Sequence, residues 1–131
     1  MKNWGDYKKQ GKTDKQSGKA FQETERLLSV LVSDSTHQSD TERISLFYIL
    51  CGNDDLYSKI NHIYDFKEKS IRPDCLESED IDFSSSSRSL VKIGFNLYNG
   101  YPADISETLS TLDEDNFTLA VEAIKIRFNM E

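Results

Sequence analysis

LVKIGFNLYNGY, residues Leu90–Tyr101, is the richest apolar and aromatic run of the chain. Leu90, Ile93, Gly94, Leu97 and Tyr98 recur at helical spacing, and Val91 and Phe95 cover a second flank. A helix apolar on most of its circumference is buried on most of it. The run therefore predicts the central helix, near residues 87–99, of an all-α, single compact domain of about five helices. The serine run Ser84–Ser87 stands just before it and reads as its cap, because a short side-chain oxygen can accept from a free amide of the first turn.

Upstream, residues 19–34 predict a first helix with Phe21, Leu28, Leu31 and Val32 on one face and Leu27 beside them. A second follows to about Cys51. Ser39 with Glu42 three residues on matches a capping box, with Asp40 competing as the cap. Its expected face is Ile44, Phe47, Tyr48 and Cys51. Gly52 reads as the stop, since glycine tolerates the left-handed conformation that ends helices. Asn53, Asp54 and Asp55 open a third helix, expected to carry Leu56, Ile60, Ile63 and Tyr64 inward and to end near Phe66. Residues 67–87 form a long connection, with Ile71, Leu76, Ile81 and Phe83 available to pin it.

Downstream, Asn99-Gly100 and Tyr101-Pro102 mark a turn. Residues 104–111 allow a short helix with Ile105 and Leu109 inward. Asp113, Glu114 and Asp115 begin the last helix. Its expected face is Phe117, Ala120, Val121, Ile124 and Phe128, with Leu119, Ala123 and Ile126 beside it, packed directly on the central helix.

A chain of 131 residues can bury a real core without staples. No apolar run approaches the ~20 residues a membrane span needs, and no apolar stretch at the N-terminus reads as an export signal. Cys51 and Cys75 fall in no motif; parity allows one disulfide, but without an export signal two reduced thiols and a cytoplasmic location are expected. The net charge of −7 hides a split. Residues 1–20 hold six lysines against Asp6 and Asp14, or +4, so the remainder carries −11. Residues 1–18 have few apolar side chains and no periodicity, and read as a mobile basic arm ahead of a helical domain at 19–131. An acidic body repels nucleic acid phosphates unless its charge is clustered.

Four blocks together carry a resemblance: ERISLFYILCGNDDLY (42–57), IYDFKEKSIRP (63–73), SRSLVKIGFNLYNGY (87–101) and FTLAVEAIKIRF (117–128). In this order they resemble a family of small proteins of unknown function found in Gram-positive bacteria and their phages, over residues 20–129. The resemblance implies a single domain and a cytoplasmic bacterial or phage setting. It implies no catalytic residues and no reaction.

Chemistry is thinly represented. His37 and His62 with two scattered cysteines make no zinc pattern. His62 reads as a helix-surface residue. The acidic clusters at 77–82 and 113–115 lack the alternating calcium-loop spacing. Ser89 and Lys92 form S-x-x-K, but the companion elements of serine-acylating enzymes are absent. No catalytic, cofactor or metal residue is assigned, and no cofactor is expected. Tyr48, Tyr57, Tyr64, Tyr98 and Tyr101 are many for this size. Most read as core-edge residues, while Tyr57 and Tyr101, near helix ends, are candidates for a partner-binding surface. Trp4 and Tyr7 among Lys8, Lys9 and Lys12 are candidates for nucleic-acid contact, with aromatic stacking beside phosphate-binding lysines. The leading expectation is a non-enzymatic acidic helical module that binds another protein, as a regulator or inhibitor of a host cytoplasmic protein. The alternatives are a nucleic-acid-associated protein using its arm, and an uncatalogued enzyme. Oligomeric state is not legible.

Overall fold

In the computed structural model, which describes residues 17–131 and side chains from Phe21 onward, the chain begins with α1 (Ser17–Ser33) and α2 (Thr41–Cys51). Two short helices, α3 (Asp54–Ser58) and α4 (Ile60–Ile63), lead into strands β1 (Tyr64–Asp65) and β2 (Ser70–Ile71). A 3-10 turn (Pro73–Leu76), α5 (Ser85–Asn99), α6 (Ile105–Ser110) and α7 (Glu114–Arg127) complete it. The all-α reading holds apart from a two-residue antiparallel ladder pairing Tyr64 with Ile71 and Asp65 with Ser70.

The cap residues act as their chemistry dictates. The carboxylate of Asp40, not the hydroxyl of Ser39, accepts from Arg43 N–H and starts α2. Ser39 instead bonds the His37 ring. Ser84 accepts from Ser87 N–H and starts α5, as its serine run predicts. Gly100, at φ +81, ends α5 in the left-handed conformation.

The hub is α2. Ile44, Ser45, Leu46, Phe47, Ile49, Leu50 and Cys51 are all buried, and the helix packs against α1, α3, α5 and α7. Helix α5, expected at the centre, shares the core through Leu90, Val91, Ile93, Phe95 and Leu97 and packs against α2, α3, α6 and α7. Small residues let neighbours come close. A Cβ on Gly94 would meet Leu46 Cδ1 at 3.0 Å. Gly52 adopts an ordinary right-handed conformation (φ −88°, ψ 0°), so its role as a left-handed stop is corrected. What favours glycine there is contact: a Cβ would lie 2.4 Å from the movable Leu119 Cδ1 and 3.0 Å from the fixed Tyr48 carbonyl oxygen.

The same close approach turns α7. Its buried face is Ala120, Ala123 and Ile126 with Leu119 beside it, while Phe117 and Phe128, expected inward, are 44% and 58% exposed. Alanines at the seam admit the α2 backbone, and the larger side chains rotate outward. Helix α1 is also rotated from expectation. Thr24, Leu27 and Leu31 are buried, whereas Phe21 and Val32 are exposed. In α6, Thr108 is buried and Ile105 is exposed.

The expected third helix does not reach Phe66. It breaks at Lys59, so the described residues hold seven helices rather than about five. Tertiary packing ends it at Tyr64. That ring is buried edge-on to Phe47 and Phe66, each 4.9 Å between centroids, and its hydroxyl donates to Asp34 Oδ2. Asp65 then accepts from the amides of Lys67 and Glu68, and Lys69 turns at φ 56 to close the hairpin. The Glu68 amide, first, and that of Lys67 hold the Asp65 carboxyl below its ordinary range. Arg43 clamps the assembly, donating to Tyr64 Oη, Asp40 Oδ2 and the Lys69 carbonyl. Asp34 accepts from Thr36 and Tyr64 through Oδ2 and leaves Oδ1 buried without a hydrogen bond. The long connection is pinned by buried Cys75, Leu76 and Phe83, with Ile71 and Ile81 partly buried.

Candidate functional site

Three capped helix starts converge. Asn53 Oδ1 accepts from Leu56 N–H, and its Nδ2 donates to Asn116 Oδ1 at 3.1 Å. Asn116 donates in turn to Ser86 Oγ, and its own amide is capped by Asp113. Ser87 Oγ donates to Asp55 Oδ2. The starts of α3, α5 and α7 are thereby tied together at the C-terminal end of α2. One side-chain amide at position 116 touches all three.

Between α1, the end of α2, the start of α3 and the first half of α7 lies an open cleft of about 560 Å³. Tyr48, Gly52 and Leu119 line it, and its other lining residues include seven carboxylates: Glu23, Asp54, Asp55, Asp113, Glu114, Asp115 and Glu122. No lysine or arginine is among the described residues lining it. Some of this charge has a local purpose. Each helix N-terminus carries about half a positive charge, so the starts of α3 and α7 supply about +1, against about −0.5 from the end of α2. Arg26 pairs with Asp54 at 2.6 Å, Lys59 with Asp55 at 2.8 Å and Lys125 with Glu122 at 3.3 Å. Among the described residues no ion pair reaches Glu114 or Asp115, so the cleft stays strongly negative.

The carboxylates ring the cleft instead of converging. Among the described residues no group of three or more histidine, cysteine, aspartate or glutamate side chains is arranged to hold a metal ion. Charges spread around a groove with an aromatic and an aliphatic side chain in it suit a cationic segment, whose ammonium or guanidinium groups are likewise spread along a chain.

The two tyrosines singled out by sequence are placed apart. Tyr57 lies under the Arg26 guanidinium, 4.5 Å from the ring centroid, at the edge of this region. Tyr101 packs edge-on against Phe95 at 5.6 Å, beyond the end of α5. Both are partly buried against the core. Trp4, Tyr7, Lys8, Lys9 and Lys12 lie outside the described residues, as does the basic arm expected over 1–18 apart from its last two positions, which begin α1. His62 is exposed. Ser89 Oγ accepts from Thr111 Oγ1 at 2.6 Å, which occupies that hydroxyl with a helix-packing role. Both cysteines are free and buried, and burial pushes the Cys51 thiol up to about 12 and the Cys75 thiol to about 11.

Sequence reasoning missed the cleft. It read NDD at 53–55 and DED at 113–115 each as a helix start, correctly, with no signal that the two would meet. Among the described residues, no helix is long and apolar enough to cross a membrane. Comparison with curated proteins and with solved structures finds no match. The family model described as Family of unknown function (DUF6075) matches residues 19–131, and the chain belongs to that family.

Proposed function

We propose that this protein is a non-enzymatic interaction module whose acidic cleft receives a basic segment of a partner protein. The observation that carries the reading is the lining itself: seven carboxylates around Tyr48 and Leu119, with no cationic side chain among the described lining residues. Lysines or arginines of the partner meet the rim charges, and an apolar or aromatic residue between them sits against Tyr48 and Leu119. Charge supplies steering and selectivity, and the apolar contact supplies residence. The setting that fits is the cytoplasm of a Gram-positive bacterium or its phage, with the partner a host protein held or blocked by this contact.

The test is calorimetric titration of the full chain with a lysine-rich synthetic peptide carrying interspersed tyrosines. The comparison variant is E114Q/D115N/E122Q, and the control is E77Q/E79Q/D80N, which removes three charges from the exposed 77–80 stretch. Three rim charges at about 0.5 kcal/mol each predict a loss of roughly tenfold in affinity for the cleft variant. Little change is expected for the control. Equal losses in both variants would reduce the binding to attraction by net charge and refute a defined site.

A further inference from the structure

We propose that α7 carries a self-association face, on which a second copy of this chain docks antiparallel. Phe117, Val121, Ile124 and Phe128 stand at intervals of four, three and four residues, so they form one stripe along about 16 Å of the helix. Phe128 is the C-cap, and its N–H still donates to the Ile124 carbonyl, which keeps it in line. The core takes a different side. Ala120, Ala123 and Ile126 are buried, and the stripe is turned about a third of the circumference away from them. Phe117 is 44% exposed and Phe128 58%, with Val121 and Ile124 partly exposed between them. A single exposed apolar residue needs no account, but two aromatic rings joined by an apolar row do.

The stripe is its own complement. Read in either direction it runs aromatic, β-branched, β-branched, aromatic, at the same intervals. A twofold axis through its middle therefore sets Phe117 of one copy against Phe128 of the other, and Val121 against Ile124, as an isologous contact requires. Charge favours the same direction. The start of α7 carries Asp113, Glu114 and Asp115, and its end carries Lys125 and Arg127, with the Arg127 guanidinium 5.1 Å from the Phe128 ring centroid. An antiparallel pair brings each acidic start to the half that holds the other copy's basic end, whereas a parallel pair sets acid against acid. Leu119 and Glu122, which line the acidic cleft, lie on the flank toward α1, so this docking does not depend on what the cleft binds.

The stripe is short, and that sets the strength. One helix from each copy gives an interface at the small end of specific contacts, under about 1,200 Å² in total, so the association is weak and reversible, in the micromolar to millimolar range. Each copy carries −7, so the two bodies repel at long range. At physiological salt that repulsion is screened beyond about 8 Å, while the apolar contact is not.

Sedimentation equilibrium of the full chain at physiological salt, from micromolar to millimolar protein, tests this, with circular dichroism verifying that each variant is folded. The unaltered chain should pass from monomer to dimer and stop there, because a twofold contact closes. F117K/F128K places unpaired charge in the stripe and should weaken the dimer at least about tenfold. V32K/I105K adds the same charge at two other exposed apolar positions and should leave the dimer unchanged. F117E/F128K reads the direction. Antiparallel docking sets its opposite charges against each other, so it should dimerise more strongly than F117K/F128K. A chain that stays monomeric throughout would overturn the proposal and leave the face to a different molecule. Undiminished dimerisation of F117K/F128K, an equal loss in V32K/I105K, or growth beyond the dimer would overturn it as well. F117E/F128K dimerising no better than F117K/F128K would overturn the antiparallel pairing.

Discussion

Replacing Gly52 by alanine separates a conformational role for this glycine from a packing role. At φ −88° and ψ 0° the backbone accepts any residue, so on conformational grounds Gly52→Ala stabilises by about 0.4–1 kcal/mol through the unfolded chain. Contact opposes this. The new methyl would sit 2.4 Å from Leu119 Cδ1, 3.2 Å from its Cδ2 and 3.0 Å from the Tyr48 carbonyl oxygen. Leu119 is half-buried and can swing, but the carbonyl belongs to the last turn of α2 and cannot move without bending it. Overpacking of this kind costs about 1–3 kcal/mol, so the net expectation is a loss of about 1–2 kcal/mol. Leu119→Ala alone should lose about 1 kcal/mol, half the value of a fully buried leucine. In the double variant the leucine clash is gone, so the combined loss should fall short of the sum by about 1 kcal/mol. Urea unfolding of the four proteins, fitted with a common slope, measures this. A stabilised Gly52→Ala, or strict additivity, would refute the close-approach account of α2 against α7.

Phe95→Ala and Leu97→Ala should each lose about 2–5 kcal/mol in denaturant melts, since both side chains are buried, and a loss below about 0.5 kcal/mol at both would remove α5 from the core. Arg43→Met should cost about 2–3 kcal/mol, because it removes the donors to Tyr64, Asp40 and the Lys69 carbonyl and the cation beside buried Asp34, and Asp34→Ala in the same chain should restore part of the loss in the same melts. Burial raises the Tyr64 phenol and the Cys51 thiol to about 12 and the Cys75 thiol to about 11, so each folded group holds its proton longer than the unfolded one. Stability should therefore be intact below about pH 8.5 and fall as pH rises toward 12, which chemical denaturation across that range reads directly. For the same reason both thiols should resist iodoacetamide at pH 8 in the native protein and react fully in urea, and recovery of a Cys51–Cys75 crosslink would contradict their free state.

Helix starts were legible because a short acceptor leaves a local mark. Asn53, Ser84 and Asp113 each stand one residue before a helix and accept from the amide three positions on. Helix faces were less legible, for a physical reason. In α7, Ala120 and Ile124 of the expected face do pack on the core, while Phe117 and Phe128 at its two ends are exposed and Ala123 and Ile126, expected beside it, are buried. In α2 the run ISLFYILC is apolar almost all round, so a one-face reading of Ile44, Phe47, Tyr48 and Cys51 missed that Leu46, Ile49 and Leu50 are buried as well. The hairpin was invisible for another reason. Tyr64 leaves the helix to reach Phe47, Phe66, Asp34 and Arg43, partners up to 30 residues away, and no local propensity encodes them.

The cleft raises the question whether its acids do more than serve helix ends, and the other helix starts give a comparison within the same chain. Helix α5 begins on Ser84 with no acidic residue in its first turn, and α2 and α6 carry one each. The two starts that face the cleft, α3 and α7, carry two each beyond their caps. Capping is complete with Asn53 and Asp113 alone. The dipole of each start is matched by a single neighbouring charge, since it amounts to about half a unit and fades within one turn. Glu114 and Asp115 therefore exceed what α7 requires, and they stand where α1 contributes Glu23 from an unrelated part of the sequence. Stability alone would spread those charges, because like charges gathered around one groove repel. Arg26, Lys59 and Lys125 already offset Asp54, Asp55 and Glu122, so the repulsion left among Glu114, Asp115 and their neighbours is what the proposed cationic segment would relieve.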